Sequence, residues 1–345
     1  MKNLLKLCLV ALPLIFNNCI NKAQENRVVD SLFVASWNIE NLFDIMDDPK
    51  KNDSDFLPTS SKDWNEGKFA FKLHNLARVI NYMNNGKGPD IIGLQEVENM
   101  GVLKHLVYRL HERDYVVIHR DSPDERGIDV AIIYDREVLD IVSVDTLLVK
   151  LPTNYNTRYI LHAILNHRIT SKDIHVFVNH WPSRRGGEQK SEPNREAAAS
   201  TLKNTIDILF KKDNEVNIII LGDFNDEPSN ISLKEVLGAQ EFICENSEVK
   251  RNQLYNLAYL KHQEGKGTYL YGAKWNMLDQ IIVSTPLIKS QNYFFKCDGF
   301  EIIKPEFMVQ QDGERKGAPL PTYTGNKYLG GFSDHFPVSA KFYIH

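Results

Sequence analysis

Carboxylates, carboxamides and imidazoles gather at the ends of apolar segments in this chain. The stretch "VNIIILGDFNDEP", 216–228, runs from Val216 to Leu221, stops at Gly222, and then delivers Asp223, Asn225, Asp226 and Glu227. Alone it is equally a solvated turn, since Asp, Asn and Gly are ordinary turn residues, or a metal or phosphate site at a strand end. Five further segments repeat the chemistry: "SWNIEN" with Asn38 and Glu40, "IIGLQEVE" with Gln95 and Glu96, "FVNHWPSR" with Asn179 and His180, "NMLDQIIVS" with Asp279, and "GFSDHFPV" with Asp334 and His335. Singly, each reads as a solvated acid or a satisfied histidine. Together they form a coherent set, with no Ser or Cys in a nucleophile elbow. Oxygen-rich ligands of this kind suit a hard cation such as Mg²⁺ or Mn²⁺.

These groups need elements to hold them. The run 216–221 reads as a strand buried on both faces. "SLFVASWNI" (31–39), "DIIGLQEV", "YVVIHR", "DVAIIYD", "DIHVFVNHW", "LDQIIVS" and "DHFPVSAKFYI" read as further strands. Period-two alternation places Asn38 and Glu40 on one side of theirs. Leu73, Leu76, Ile80 and Met83 have helical spacing, and "NREAAASTLKNTIDILFK" reads as a second long helix. Residues 44–67 read as a polar loop, and 101–112 and 231–238 as short helices. Mixed strands and helices, several strands being apolar on both faces, imply an α/β fold of sheets covered by helices.

Composition sets outer bounds. The chain has 345 residues, 42% hydrophobic and 25% charged, with a formal net charge of −4. The basic footprint of a tight non-specific nucleic-acid binder is missing; a bound cation can supply positive charge instead. Residues 1–24 read as a signal peptide: Lys2 and Lys6 precede an apolar run from Leu7 to Phe16, too short for a stable membrane span. The leader ends either before Cys19, which would then carry a lipid anchor, or near Ala23. Export to the periplasm, the medium or the outer membrane follows. Residues 25–345 read as a single catalytic domain, expected to be monomeric with no obligate protein partner. Cys244 and Cys297 are either a disulfide or two thiols.

The series "SWNIEN … LQEVE … NHWPSR … GDFND … LDQIIVS … SDHFPV" resembles the endonuclease/exonuclease/phosphatase superfamily, with its deoxyribonuclease-I-like fold, from about residue 33 to 342. The resemblance implies a four-layer α/β sandwich, two facing mixed sheets flanked by helices, with the site where strand ends converge. It implies that Glu96 is the principal ligand of Mg²⁺ (or Mn²⁺, with Ca²⁺ a further candidate), helped by Asn38, Asp334 and Glu40, whose position some members fill with a metal-binding Asp. It makes His180 the imidazole that binds the scissile phosphate and protonates the leaving group. Asp223 orients or deprotonates the attacking water, and Asn225 is its partner on the phosphate. His335 faces the phosphate from the other side, and Asp279 fixes its tautomer. Asp129 is the candidate carboxylate partner of His180.

The block "NHWPSRRGGEQKSEPNREAAA" further resembles secreted bacterial nucleases of the superfamily. Arg184, Arg185 and Arg195 then become candidate clamps on substrate phosphates, against a bland reading as a solvated basic loop. Trp181 and Trp275 are either base-stacking platforms or core. The expected activity is a metal-dependent phosphodiesterase using direct water attack, most simply a secreted endonuclease on DNA or RNA. The alternatives are a phosphatase or phospholipase-type enzyme acting on inositol phosphates or sphingomyelin, and a catalytically silent binding module on the same fold.

Overall fold

The strand that ends in acid lies inside one of two large sheets. The computed structural model describes residues 28–153, 155–243 and 249–345; the leader, Cys8, Cys19 and Cys244 fall outside them. In spatial order the first sheet is β14 (Tyr293–Ile302), β17 (Val338–Ile344), β1 (Asp30–Leu42), β2 (Ile91–Val97), β4 (Asp129–Asp135) and β3 (Tyr115–His119). The second is β5 (Leu139–Leu147), β6 (Ile160–His167), β7 (Lys172–His180), β8 (Asn217–Asp223), β13 (Asp279–Ser284), β10 (Leu254–Asn256) and β9 (Ala239–Glu241). Both are mixed: β1–β2, β7–β8 and β9–β10 are parallel pairs, and the other neighbours run antiparallel. Two hairpins, β11 (Tyr269–Tyr271) with β12 (Lys274–Asn276) and β15 (Tyr323–Thr324) with β16 (Lys327–Tyr328), lie outside them.

Burial shows how the layers stack. Val34, Ile132, Val176, Val178, Ile219, Leu221, Ile281 and Val338, drawn from both sheets, are fully buried in one cluster. Each such side chain contributes about 1.5–3 kcal/mol relative to exposure. The opposite face of the first sheet packs Ala35, Trp37, Ile92 and Leu94 against α1 (Glu66–Gly86) and α2 (Met100–Val107). The opposite face of the second packs Phe177, Ile218 and Ile220 against α3 (Glu188–Lys212). The result is the four-layer α/β sandwich. Gly93 lets the sheets approach: a Cβ there would lie 1.9 Å from Leu221 Cδ1. Among the described residues no helix is long and apolar enough to cross a membrane. Cys297 is disulfide-bonded.

Besides the two- and three-residue strands, three longer ones escape a reading by alternation. β5 is mostly exposed and its register shifts between Ile141 and Ser143, while β14 shifts between Phe295 and Phe300. Such irregularities break the period-two signal. β6 follows the poorly alternating β5 and was hidden with it. The long helix starts at Glu188 rather than Asn194, running through Pro193. Its first turn is secured by Ser191 Oγ, which donates to Gly187 O at 2.8 Å, and by Arg195 Nη2, which donates to Glu188 O at 3.0 Å.

His162 is a pH-sensitive element of the second sheet. Its ring stacks on Phe177, with centroids 4.1 Å apart, and Nε2 lies 3.0 Å from His175 Nδ1. Burial, reinforced by His175, lowers its pKa to about 4. The unfolded chain therefore binds a proton that the native state refuses between pH 6.5 and 4. This contribution is intact above pH 6.5 and is lost as pH falls through 4. It amounts to about 3 kcal/mol at most. Urea unfolding at a series of pH values is expected to show the slope, and His162→Phe, which keeps the stack, is expected to flatten it.

Candidate active site

The polar strand ends converge on one rim. His180 closes β7, Asp223 closes β8, and the antiparallel β13 opens with Asp279, so the three are cross-strand neighbours: His180 is the register partner of Asp223, and Asp223 of Asp279. Gly222 makes this row feasible. Its φ is +145°, and a Cβ would sit 2.0 Å from Asn179 O. Asn38 and Glu96 approach from the first sheet, and Asp334 and His335 from the segment before β17. Asn38, Glu96, His180, Asp223, Asn225, Asp334 and His335 line one cavity of about 610 Å³.

Asp223 is buried at its centre. Oδ2 accepts from Asn38 Nδ2 at 3.0 Å, and Oδ1 accepts from the Asn225 backbone N–H at 2.9 Å. Nε2 of His180 stands 3.7 Å and Nε2 of His335 4.0 Å from Oδ2. Burial raises the Asp223 pKa, although the charge on His335 pulls it down. Asn225, at φ +51°, also donates through Nδ2 to Trp181 O at 3.0 Å.

The two histidines have opposite electrostatics. His335 Nδ1 lies 2.7 Å from Asp279 Oδ2, and its ring stacks on Tyr269 with centroids 4.7 Å apart. Burial opposes its charge, but Asp279, Asp334 and Asp223 outweigh it and hold the imidazolium well above the ordinary range. His180 is buried beside Arg158 and Arg126, and burial followed by those cations holds it well below. Its Nδ1 has no hydrogen-bond partner among the described residues. The surroundings thus favour the protonated ring at His335 and the neutral ring at His180.

Glu96, at φ +65°, is fixed by the Asn41 backbone N–H, which donates to Oε2 at 2.9 Å. Oε1 lies 3.9 Å from His180 Nε2. Asp334 is half-buried; burial raises its pKa, His335 lowers it, and Glu96 raises it again. Two carboxylates that repel each other in a desolvated cleft, next to the Asn38 carboxamide, form a hard-oxygen donor set that fits a divalent cation.

Four of the expected roles need correction. Glu40 does not line the cleft. With Asn38 Oδ1 accepting from its N–H and φ at +53°, the chain departs from alternation there. Its carboxylate accepts instead from the backbone N–H of Thr322 at 2.7 Å and Tyr323 at 3.3 Å, and stands 3.9 Å from the buried Lys72 Nζ. Burial raises its pKa to about 7 against the pull of Lys72. Lys72 also donates to Thr322 Oγ1 at 2.6 Å and Phe332 O at 2.7 Å, tying the segment before Asp334 to α1. Glu40→Gln is expected to cost about 3 kcal/mol in urea unfolding, because it breaks a buried ion pair. The metal concentration for half-maximal activity should shift less than threefold; a larger shift would restore Glu40 as a ligand.

Asp129 does not reach His180. Its Oδ2 lies 3.1 Å from His119 Nε2, and Oδ1 accepts from the Ser122 N–H at 3.0 Å. Arg195 is fully buried, its Nε 2.7 Å from Asp226 Oδ1, and is not among the residues that line this cleft. Arg184 lines the cleft but is spent on internal contacts: Nε donates to Asn225 O at 2.7 Å, and Nη1 pairs with Glu188 at 3.2 Å. Arg185 is exposed at the rim and forms no ion pair among the described residues. Trp181 is core, edge-on to Phe224 with centroids 4.8 Å apart, and Trp275 stacks on Phe336. Sequence reading missed Lys72, Arg126, Arg158 and Tyr269. Only Lys72 left a signal: it falls four and eight positions before Leu76 and Ile80, on the apolar stripe of α1.

A fold of two mixed sheets with acid, amide and imidazole groups at one rim defines a class. The chain belongs to the endonuclease/exonuclease/phosphatase family, whose sequence profile matches residues 33–344. Among solved structures it is similar to an endonuclease/exonuclease/phosphatase family protein from Bacteroides thetaiotaomicron, at 19% identity and a TM-score of 0.57, covering 92% of this chain and 98% of that one. It is similar to a mannosyl-6-phosphatase of the same organism, at 18% identity and a TM-score of 0.54, covering 90% and 99%. TDP2 of D. rerio, complexed with single-strand DNA product, shares 14% identity and a TM-score of 0.55, covering 90% and 98%. No curated protein matches the sequence.

Proposed function

We propose that this protein is a divalent-metal-dependent phosphodiesterase that uses water directly, with nucleic acid as its substrate, and that it is exported and works as a monomer. The supporting observation is the cluster around Asp223: a buried carboxylate held by two donors, flanked by a neutral and a charged imidazole, facing the Glu96–Asp334 pair. Glu96, Asp334 and the Asn38 carbonyl would hold the cation, Mg²⁺ or Mn²⁺ by their chemistry. When bound, it would supply charge withdrawal from a phosphoryl oxygen.

The chain's own residues do the rest. Asp223 aligns a water for in-line attack and takes its proton; the raised pKa makes it a stronger base than an exposed carboxylate. Asn38 and Asn225 hold Asp223 in one rotamer. The His335 imidazolium stabilises charge developing on the phosphate oxygens, and Asp279 keeps it protonated and oriented. His180 offers a neutral N–H or lone pair from the other side. No covalent enzyme intermediate is needed.

The deciding experiment tests bis-p-nitrophenyl phosphate, p-nitrophenyl phosphate, plasmid DNA and RNA side by side with Mg²⁺, Mn²⁺ and EDTA. Turnover of the diester and of a polynucleotide, abolished by EDTA, is expected. Turnover of the monoester alone would defeat the nuclease reading, and no turnover at all would leave the silent binding module.

A further inference from the structure

Two of the arginines that the sequence offers as clamps on substrate, Arg184 and Arg195, converge on one acid. Asp226 follows Asn225 directly, is 1% exposed, and is not among the residues that line the catalytic cleft. Its Oδ1 lies 2.7 Å from Nε of the fully buried Arg195 on α3 and accepts from Arg184 Nη2 at 3.4 Å. Its Oδ2 accepts from Ser232 Oγ at 2.6 Å. The main-chain carbonyl of Asp226 accepts from Gln280 Nε2 at 2.7 Å, and Gln280 is steadied in turn by Asn256, whose Nδ2 donates to Gln280 Oε1 at 2.7 Å. Gln280 is also the register partner of Gly222, one residue before Asp223. Helix α3, the Arg184 loop, the short helix Ser232–Val236 and β13 therefore all meet on this one residue.

We infer that Asp226 is a positioning residue, which fixes the loop that presents Asp223 and Asn225 to the cleft. The inference rests on the phosphoester reading of that cleft and deepens it. The loop needs a hold, because Asn225 has φ +51°, a conformation that a non-glycine residue keeps only where its surroundings impose it. The Asn225 backbone N–H holds Asp223 Oδ1 at 2.9 Å, its Nδ2 donates to Trp181 O at 3.0 Å, and its carbonyl accepts from Arg184 Nε at 2.7 Å. Asp226 acts on this arrangement twice. It is the next residue of the chain, and it is a counter-charge that aims the Arg184 fork at the Asn225 carbonyl. A guanidinium held at two of its nitrogens fixes direction as well as charge. Arg195 forms no other ion pair among the described residues, so loss of the Asp226 charge leaves a buried cation uncompensated and loosens the loop. Since Asp226 stands outside the cleft, the chemical step suffers and substrate affinity does not.

The test compares Asp226→Asn with Asp90→Asn in the full chain. Asp90 is a second buried acid, just before β2 and so at the opposite end of that strand from Glu96, where it pairs with Arg113 and accepts from the Phe33 N–H at 2.6 Å. Both variants are expected to lower the midpoint of thermal unfolding, since each breaks a buried pair. Only Asp226→Asn is expected to lower kcat on bis-p-nitrophenyl phosphate, about tenfold, with KM kept within about twofold. Hydrogen exchange read by mass spectrometry is expected to be about tenfold faster over residues 222–228 in Asp226→Asn, and parent-like there in Asp90→Asn. Full kcat in Asp226→Asn, an equal loss of kcat in Asp90→Asn, or unchanged exchange over 222–228 overturns the role. Should Asp226→Asn not fold, Ser232→Ala removes only the donor to Oδ2 and is expected to lower kcat about threefold at the parent KM; a parent-like kcat there overturns the role equally. A parent protein that hydrolyses no phosphoester defeats the reading of the cleft, and exchange, which needs no turnover, still tests the hold on the loop. A parent that turns over beside a fully active Asp226→Asn defeats only the positioning role.

Discussion

Asp223→Asn is expected to lower kcat on bis-p-nitrophenyl phosphate at least a hundredfold, about 3 kcal/mol in the barrier, while leaving KM within a few-fold. The substitution keeps the size of the side chain and one acceptor oxygen, so the row His180–Asp223–Asp279 stays in register. What it removes is the base. The same change should move the midpoint of thermal unfolding only slightly, because the donor left facing an amide N–H, one of Asn38 Nδ2 and the Asn225 N–H, costs stability that a second effect offsets. Burial already disfavours the Asp223 carboxylate in the native state, and a neutral amide relieves that cost. Activity lost with stability nearly kept separates a chemical role from a structural one. Should kcat fall only a few-fold, another group activates the water.

Glu96→Gln is expected to raise the Mg²⁺ concentration for half-maximal rate at least tenfold, about 1.4 kcal/mol of metal affinity. The amide can still accept from the Asn41 N–H that fixes Oε2, so the bulge at φ +65° is retained. One formal charge of the Glu96–Asp334 pair disappears. With less charge to hold a cation, rate at limiting metal collapses, and excess metal restores part of it. A titration curve identical to that of the parent protein would move the cation elsewhere. Read beside Glu40→Gln, the two variants distinguish the acid that faces the cleft from the acid that faces Lys72.

Much of the set that lines the cleft is readable from residue type and position, because acid after an uninterrupted apolar run is chemically conspicuous. The errors have local physical causes. Alternation placed Glu40 beside Asn38, but positive φ at Glu40 and Asn41 ends the period-two rule there. Asp129 was assigned to a distant histidine although a nearer one was available. In the hairpin where Tyr115 faces Asp135 and His119 faces Ala131, Asp129 falls diagonally beside His119. Arg195 shares a stripe with Ala198, Ala199, Leu202 and Ile206, all buried, so helical spacing already pointed it inward. The opposed charge states of His180 and His335 were not readable at all. They depend on burial, on Arg158 and Arg126 around His180 and on Asp279 and Asp223 around His335, which only the folded chain brings near.

The row across β7, β8 and β13 has a consequence for how the protein fails on heating. The spacing of His180, Asp223 and Asp279 is set by main-chain ladders in the interior of a seven-stranded sheet. Asp334 and His335 come instead from an irregular segment outside both ladders, held by side-chain contacts to Lys72, Asp279, Trp37 and the Asn38 carbonyl and by a single bridge to Tyr269. Warming would release that segment first, so thermal inactivation should precede the loss of circular-dichroism signal from the sheets.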